Sequence, residues 1–205
     1  MNDSGTRTVA LIDAGGANLG SVRYALEREC ATVNIVRDAD ELRHARRAIL
    51  PGVGAAPPTM ALLHERGLAD ALRDVRVPLL GICLGMQLLF GDSEEGDVAG
   101  LGLLPGSVRR LVAADGLRVP HMGWNQMQFL RDDALLHGIG DGAQAYFVHG
   151  YAAAVTEDCV AACVHGERFA AVVRRGHVMG AQFHPERSAS AGATLLRNFL
   201  AWTPA

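Results

Sequence analysis

The sequence predicts a three-layer α/β fold: a central, mostly parallel sheet with helices on both faces and antiparallel strands added in the second half. Short, continuous apolar runs such as TVALI (8–12) and PLLGIC (78–83) suit strands buried on both faces. Segments with helical spacing separate them, and strands alternating with helices imply βαβ units. The second half instead strings together GSVRRLV, LRVPHM, AYFVHGYAAAV, CVAACVH, FAAVVRR and HVMGAQFH, with turns as short as RRG between some of them. Such spacing suits hairpins on a sheet edge. With 205 residues, 49% of them hydrophobic, and no repeat or low-complexity linker, residues 1–205 read as one domain, 1–6 being a short flexible N-terminus.

In order, the first strand is Thr8–Ile12. A helix follows with Asn18 as N-cap and Leu19, Val22, Ala25 and Leu26 at helical spacing. Then come strand VNIV (33–36), a helix over 39–46, strand AILP (48–51) and a helix opened by Pro57 and Pro58. Strand 78–83 and a further helix complete the alternating series. A final helix over 188–201 presents Leu195, Leu196, Phe199 and Leu200 on one side.

Composition excludes several classes of function. A formal net charge of -3 and a pI near 6.2 give no basis for nucleic-acid binding or attraction to an anionic membrane. All 19 basic residues are arginine, so neither a Schiff-base lysine nor a phosphate-loop lysine is available. No apolar stretch approaches the ~20 residues a bilayer span needs, and MNDSGTR has no signal-peptide character. The cysteines at 30, 83, 159 and 163 lack the spacing of a disulfide framework, which fits a reducing, cytoplasmic setting.

The chemistry centres on GICLG (81–85). A strand running into G-x-C-x-G and then a helix is the pattern of a nucleophile elbow, with sulfur in place of a hydroxyl. The tight turn brings flanking positions against neighbouring backbone, which explains glycine at 81 and 85. It exposes Cys83 at the carboxyl edge of the sheet, where open α/β folds bind ligands, and at a helix start whose amides favour a thiolate. The pentapeptide alone fits a buried core cysteine beside two packing glycines equally well.

A nucleophile needs a base. His44 and His64 lie in charged helical stretches and His137 in a loop, whereas His184 stands in AQFHPERS. Pro185 pushes His184 into extended backbone. There, residues i and i+2 point the same way, so Glu186 can orient the imidazole and stabilise its charged form. Cys159, Cys163 and His165 share one face of a predicted strand and look metal-like. Four residues of strand span ~13 Å, however, too far for both sulfurs to reach one ion; core cysteines fit better. No metal or cofactor is expected. LPGVGAAP (50–57) follows a buried strand, and its Gly52–Val53 backbone can join the Leu84 N–H as a second oxyanion donor. As a bare motif, PG is also common turn punctuation.

Together, GICLGMQ, HPE near the C-terminus and PGVG after the third strand resemble the class I glutamine amidotransferases. SEEG (93–96), GLGLLPGSV (100–108), PHMGWNQ (120–126) and YFVHGY (146–151) are similar to one branch, the glutaminase subunits of imidazole glycerol phosphate synthase in histidine biosynthesis. The resemblance runs from Val9 to the last helix, and HMGWN discriminates best among branches. It implies a class I amidotransferase fold and a Cys83–His184–Glu186 triad that hydrolyses L-glutamine to glutamate and ammonia through a thioester. Gln87 and Glu95 would hold the amino-acid end of glutamine, helped by backbone at Gly52, Gly150 and Tyr151. Ammonia would pass to a (β/α)8-barrel cyclase subunit in a heterodimer. Asn18, His121, Trp124, Asn125, Tyr146 and Arg187 would face that partner or line the route to it.

Three positions depart from the family pattern: GGAN (15–18) where G-x-G-N is usual, Arg187 where lysine is common, and Gly150 where a small hydroxyl residue is common. The competing readings are the glutaminase of another pathway, a non-catalytic scaffold and an elbow esterase. PHMGWN speaks against the first and an intact triad against the second. An acid that follows its histidine by two residues speaks against the third.

Overall fold

The computed structural model describes residues 7–113 and 116–204; the expected flexible segment 1–6 lies outside them. The first half alternates as the apolar runs require: β1 (Thr8–Ile12), α1 (Leu19–Arg28), β2 (Thr32–Val36), α2 (Ala39–Arg43), β3 (Ala48–Leu50), α3 (Ala56–Glu65), α4 (Leu68–Asp74), β4 (Leu79–Ile82) and α5 (Leu84–Leu88). Helix α2 is shorter than the 39–46 expected; the Asp38 carboxylate caps its start by accepting from the Glu41 N–H. The second half holds the short strands β5 (Asp92–Ser93), β6 (Val98–Ala99), β7 (Ser107–Arg110), β8 (His121–Gln126), β9 (Gln128–Phe129), β10 (Gln144–His149) and β11 (Tyr151–Ala153). After them come β12 (Cys159–His165), β13 (Glu167–Arg175), β14 (Val178–Ala181) and α6 (Ala189–Ala201).

Among the described residues the main sheet has eight strands in the order β2-β1-β3-β4-β14-β13-β12-β9. Strands β2, β1, β3, β4 and β14 run parallel, and β13, β12 and β9 extend the edge antiparallel. One apolar cluster packs α1 and α6 against one face; a second packs α2, α3 and α4 against the other. The three layers are those expected.

Two strand expectations change. AYFVHGYAAAV does not form one strand: it breaks at Gly150, β10 pairing with β8 and β11 with β7 in separate small sheets. Cys159 and Cys163 do not share a face either. Register shifts in β12 between Cys159 and Ala162 turn them into opposite apolar clusters. Both are buried, and burial pushes each thiol up to about 11, so they are inert core residues.

The sheet order sets the site. The chain leaves β1 toward β2 on one side and reaches β3 on the other, the strand-order reversal that opens a crevice at the carboxyl ends. Asn18, the Gly52–Val53 loop, Cys83 and His184 follow the adjacent strands β1, β3, β4 and β14. Residues far apart in sequence therefore converge on one edge.

Candidate active site

Cys83 leaves β4 with φ 53° and ψ -110°, outside the right-handed region, and opens α5. Non-glycine residues rarely adopt such backbone, and it persists where neighbours over-determine it. Its own N–H donates to the Ala181 carbonyl (2.8 Å). The flanking glycines are required by contact: a Cβ at Gly81 would lie 2.6 Å from the Gly85 carbonyl oxygen. The PGVG loop packs directly on this elbow, since a Cβ at Gly52 would approach the Gly85 nitrogen to 2.8 Å. Val53 and Leu84 line the cavity beside Cys83.

His184 meets Glu186 with Nδ1 donating to Oε1 at 2.9 Å. His184 itself is extended, as Pro185 demands, but Pro185–Arg187 is a 3-10 turn. The pair therefore forms by the carboxylate folding back over a turn, not by i, i+2 alternation along a strand. Asn18 occupies the N-cap position of α1 without capping it. Its amide reaches across and donates to Glu186 Oε1 at 2.7 Å, so Asn18 buttresses the carboxylate that orients His184.

Burial alone would push the His184 imidazole down. Hydrogen bonds and charge interactions with Cys83 and Glu186 outweigh it and raise the pKa to about 10. Burial would likewise raise Glu186, yet its hydrogen bond to His184, their charge attraction and the Asn18 amide hold it below the ordinary carboxylate range. The His184 contribution to stability is complete below its unfolded pKa of 6.5 and fades as pH rises toward about 10. The Glu186 contribution is complete above 4.5 and fades as pH falls through its depressed value. Glu186→Gln should therefore destabilise most between pH 4.5 and 6.5, by about 2 kcal/mol, the scale of a charged hydrogen bond. The gap from wild type should narrow toward pH 10, and urea-denaturation midpoints across that series check it.

A cavity of about 240 Å3 brings together Cys83, His184, Gln87, Glu95, Gly150 and Tyr151. It lies below the roughly 300–1,000 Å3 of sites for drug-sized ligands, which suits a molecule of amino-acid size. Gln87 Nε2 donates to the Tyr151 carbonyl (2.7 Å) and to Gln182 Oε1 (3.0 Å). Both N–H bonds are thereby used, and Oε1 remains to accept from a ligand. Glu95 Oε2 accepts from the Ala56 N–H at the start of α3 (2.8 Å). A larger cleft of about 860 Å3 lies elsewhere, between Phe129 and Trp202. It holds no cysteine, and of its two acids, Asp132 and Asp133, the latter is already paired with Arg174 at 2.6 Å.

The expected partner-facing residues divide. Trp124, half exposed, meets Tyr146 edge to face at 5.9 Å, and the Arg187 guanidinium lies 5.5 Å from the Tyr146 ring centre. Tyr146 also accepts the His184 N–H at its carbonyl (2.9 Å), so this exposed patch abuts the His184–Glu186 pair. Asn125 is partly buried. His121, expected to face the partner or line the route to it, points inward and is 3% exposed, stacked on His165 and Phe147. Residue patterning also missed Gln182, fully buried between Gln87 and Cys83, with Nε2 3.8 Å from Sγ. The alternation in AQFH, which puts 182 and 184 on one side of the chain, was the available signal.

Residues 10–202 match the family described as glutamine amidotransferase class-I. The imidazole glycerol phosphate synthase subunit HisH of Xanthomonas axonopodis pv. citri (strain 306) is 66% identical over 192 residues, 94% of this chain and 96% of that protein. The subunit of the same description from Xylella fastidiosa (strain Temecula1 / ATCC 700964) is 62% identical over the same shares. Among solved structures, one described as a glutamine amidotransferase superposes with TM-score 0.71 at 24% identity, covering 94% of this chain and 96% of that one. PurLQS from Thermotoga maritima gives 0.70 at 21%, covering 94% and 97%. At such identities these two speak for the fold.

Proposed function

The chain belongs to the class-I glutamine amidotransferases, in the branch of the HisH subunits of imidazole glycerol phosphate synthase, and from that premise we infer that Cys83, His184 and Glu186 form its glutaminase triad. The observation that carries the reading is the convergence at one sheet edge of a strained cysteine, a histidine–carboxylate pair and a small polar cavity. His184, whose raised pKa keeps it charged, holds the proton that leaves Cys83 as a thiolate, and Cys83 Sγ attacks the γ-carboxamide carbon of glutamine. The tetrahedral oxyanion is held by the Leu84 N–H and a donor from the Gly52–Val53 backbone. As the C–N bond breaks, His184 returns the proton and ammonia leaves. Water, deprotonated by His184, then attacks the thioester, giving glutamate and the free thiol. Glu186, steadied by Asn18, keeps the imidazole oriented and stabilises its charge.

Glu95 matches the ammonium group of glutamine by charge, Gln87 offers its free Oε1, and backbone at Gly150 and Tyr151 completes the hold. Residues 1–205 act as one glutaminase domain with no cofactor. The half-exposed Trp124, with Met122, Tyr146, Arg187 and the adjacent Asn125, fits a contact with a (β/α)8-barrel cyclase that receives the ammonia, since exposed aromatic and arginine anchors are common hot spots. Asn18 bonds Glu186, the chain neighbour of Arg187. Four free cysteines suit a cytoplasmic setting, and among the described residues no helix is long and apolar enough to cross a membrane.

The test is glutamate release by the purified chain, mixed with the cyclase subunit and its nucleotide ligand. Release that depends on the partner is expected. Silence with every histidine-pathway cyclase overturns the assignment.

A further inference from the structure

Three histidines outside the triad, on β8, β10 and β12, lie together: His121, His149 and His165. His149 reaches the glutamine cavity, and its Nδ1 is 2.8 Å from the Tyr151 carbonyl. A carbonyl only accepts, so Nδ1 carries the proton and Nε2 of the neutral ring is an acceptor. His121 Nδ1 lies 3.2 Å from that Nε2 and must donate to it. His121 Nε2 in turn accepts from Asn125 Nδ2 at 3.2 Å. The Asn125 amide is itself pinned, giving its second N–H to the Val164 carbonyl (2.9 Å) and accepting the Gln126 N–H (2.8 Å) at Oδ1. His165 stacks on His121 at 4.1 Å and donates from Nε2 to the Arg118 carbonyl.

Each proton in this series is therefore assigned, and all the donors point one way, from β8 toward the cavity. Burial, with the charges of neighbouring histidines, keeps both rings neutral, pushing His121 down to about 4 and His149 to about 3 despite the bond to Tyr151. The series ends on the carbonyl that also receives the Gln87 amide. His149 thus folds back over Gly150 and pins the cavity wall at Tyr151. Gly150 gives that wall no rigidity of its own. A Cβ there would meet only Pro120 and Val119, at 3.9 Å, so nothing steric requires glycine.

We propose that His149 is a positioning residue for glutamine: its Nδ1–H clamps the Tyr151 carbonyl, and His121 and Asn125 fix the tautomer that does so, tying the exposed strand β8 to the substrate site by a directional hydrogen-bond relay. This rests on the reading of the cavity as the glutamine site. The relay also gives His121 and Asn125 a task inside this chain, in a strand whose Met122 and Trp124 stay exposed.

The test compares His149→Asn with His149→Gln in the assembled synthase. The asparagine amide nitrogen overlays Nδ1 and keeps the clamp, whereas that of glutamine overlays Nε2 and loses it. His149→Gln should raise KM for glutamine about tenfold, roughly 1.4 kcal/mol, with kcat changed much less; His149→Asn should recover most of the loss. The pH profile of kcat/KM should not move in either. Equal KM values for the two variants, or a shifted pH profile, would overturn the clamp. Imidazole nitrogen-15 spectra of the wild-type chain supply a readout free of catalysis, with His121 and His149 as neutral Nδ1–H tautomers from pH 5 to 8. A His149 that titrates in that range overturns the relay even where glutamate release is normal. A wild type with these tautomers that releases no glutamate overturns the glutamine reading, and with it the positioning role, but not the relay.

Discussion

Cys83→Ala should lower glutamate release by about 10^4-fold or more, the usual loss when the nucleophile of a cooperating triad is removed. No other thiol can substitute: Cys159 and Cys163 are buried in the core and Cys30 lies at the far end of α1. The fold should survive. Alanine keeps the Cβ and meets the same left-handed backbone that cysteine already tolerates at φ 53°. The sulfur's own contacts are weak, 3.7 Å to the Val148 carbonyl and 3.8 Å from Gln182 Nε2, and the Gln182 side chain stays held at Oε1, which accepts from the Gln87 amide at 3.0 Å. Ring synthesis by the assembled pair from supplied ammonium salts should therefore continue. Residual glutaminase activity within tenfold of wild type would remove Cys83 from the mechanism. Loss of the ammonia-driven reaction as well would give the cysteine a second task in the complex.

Much of this was legible in the sequence because it is local. Apolar runs at strand length between helical periods dictate the layers, and a parallel sheet places its loops at the carboxyl edge whatever their content. GICLG announces the strand–turn–helix because glycine is tolerated there only under close approach, as the Gly81 and Gly85 contacts bear out. What escaped is what tertiary partners decide. A bulge in β12 reverses the facing of every residue beyond it, so Cys159 and Cys163 part company without any turn residue to mark the place. Asn18 carries a good N-cap side chain, but Glu186, 168 residues away, takes its amide. His121 sits in a strand whose alternate residues Met122 and Trp124 are exposed; its inward facing depends on pairing with β10, which spacing alone does not specify. The His184–Glu186 contact was foreseen and its route was not, because Pro185 permits both an extended chain and the first residue of a tight turn.

Among the described residues, Gly85→Ala should be the most damaging single added methyl. Its Cβ would lie 1.8 Å from the Leu50 carbonyl oxygen and 2.8 Å from the carbonyl carbon, and both belong to backbone that cannot rotate away. Leu50 closes β3, paired with β4 on one side of the elbow, and leads straight into Pro51 and Gly52. Relief therefore requires the PGVG loop to retreat from the turn that holds Cys83, or α5 to tilt off β4. Overpacking of this kind costs about 3 kcal/mol, which for a domain of this size lowers Tm by roughly 6–12 °C. Calorimetry or thermal circular dichroism measures that loss. Activity should fall further than stability explains, because the displaced segment carries the second oxyanion donor while Cys83, His184 and Glu186 keep their own contacts. At a temperature where the variant is fully folded, kcat should drop while the rate of alkylation at Cys83 stays near wild type. Unchanged kcat in folded Gly85→Ala would show that the loop can move without harm and would remove Gly52 and Val53 from the oxyanion site. A loss of kcat matched by lost alkylation would place the damage at the cysteine instead.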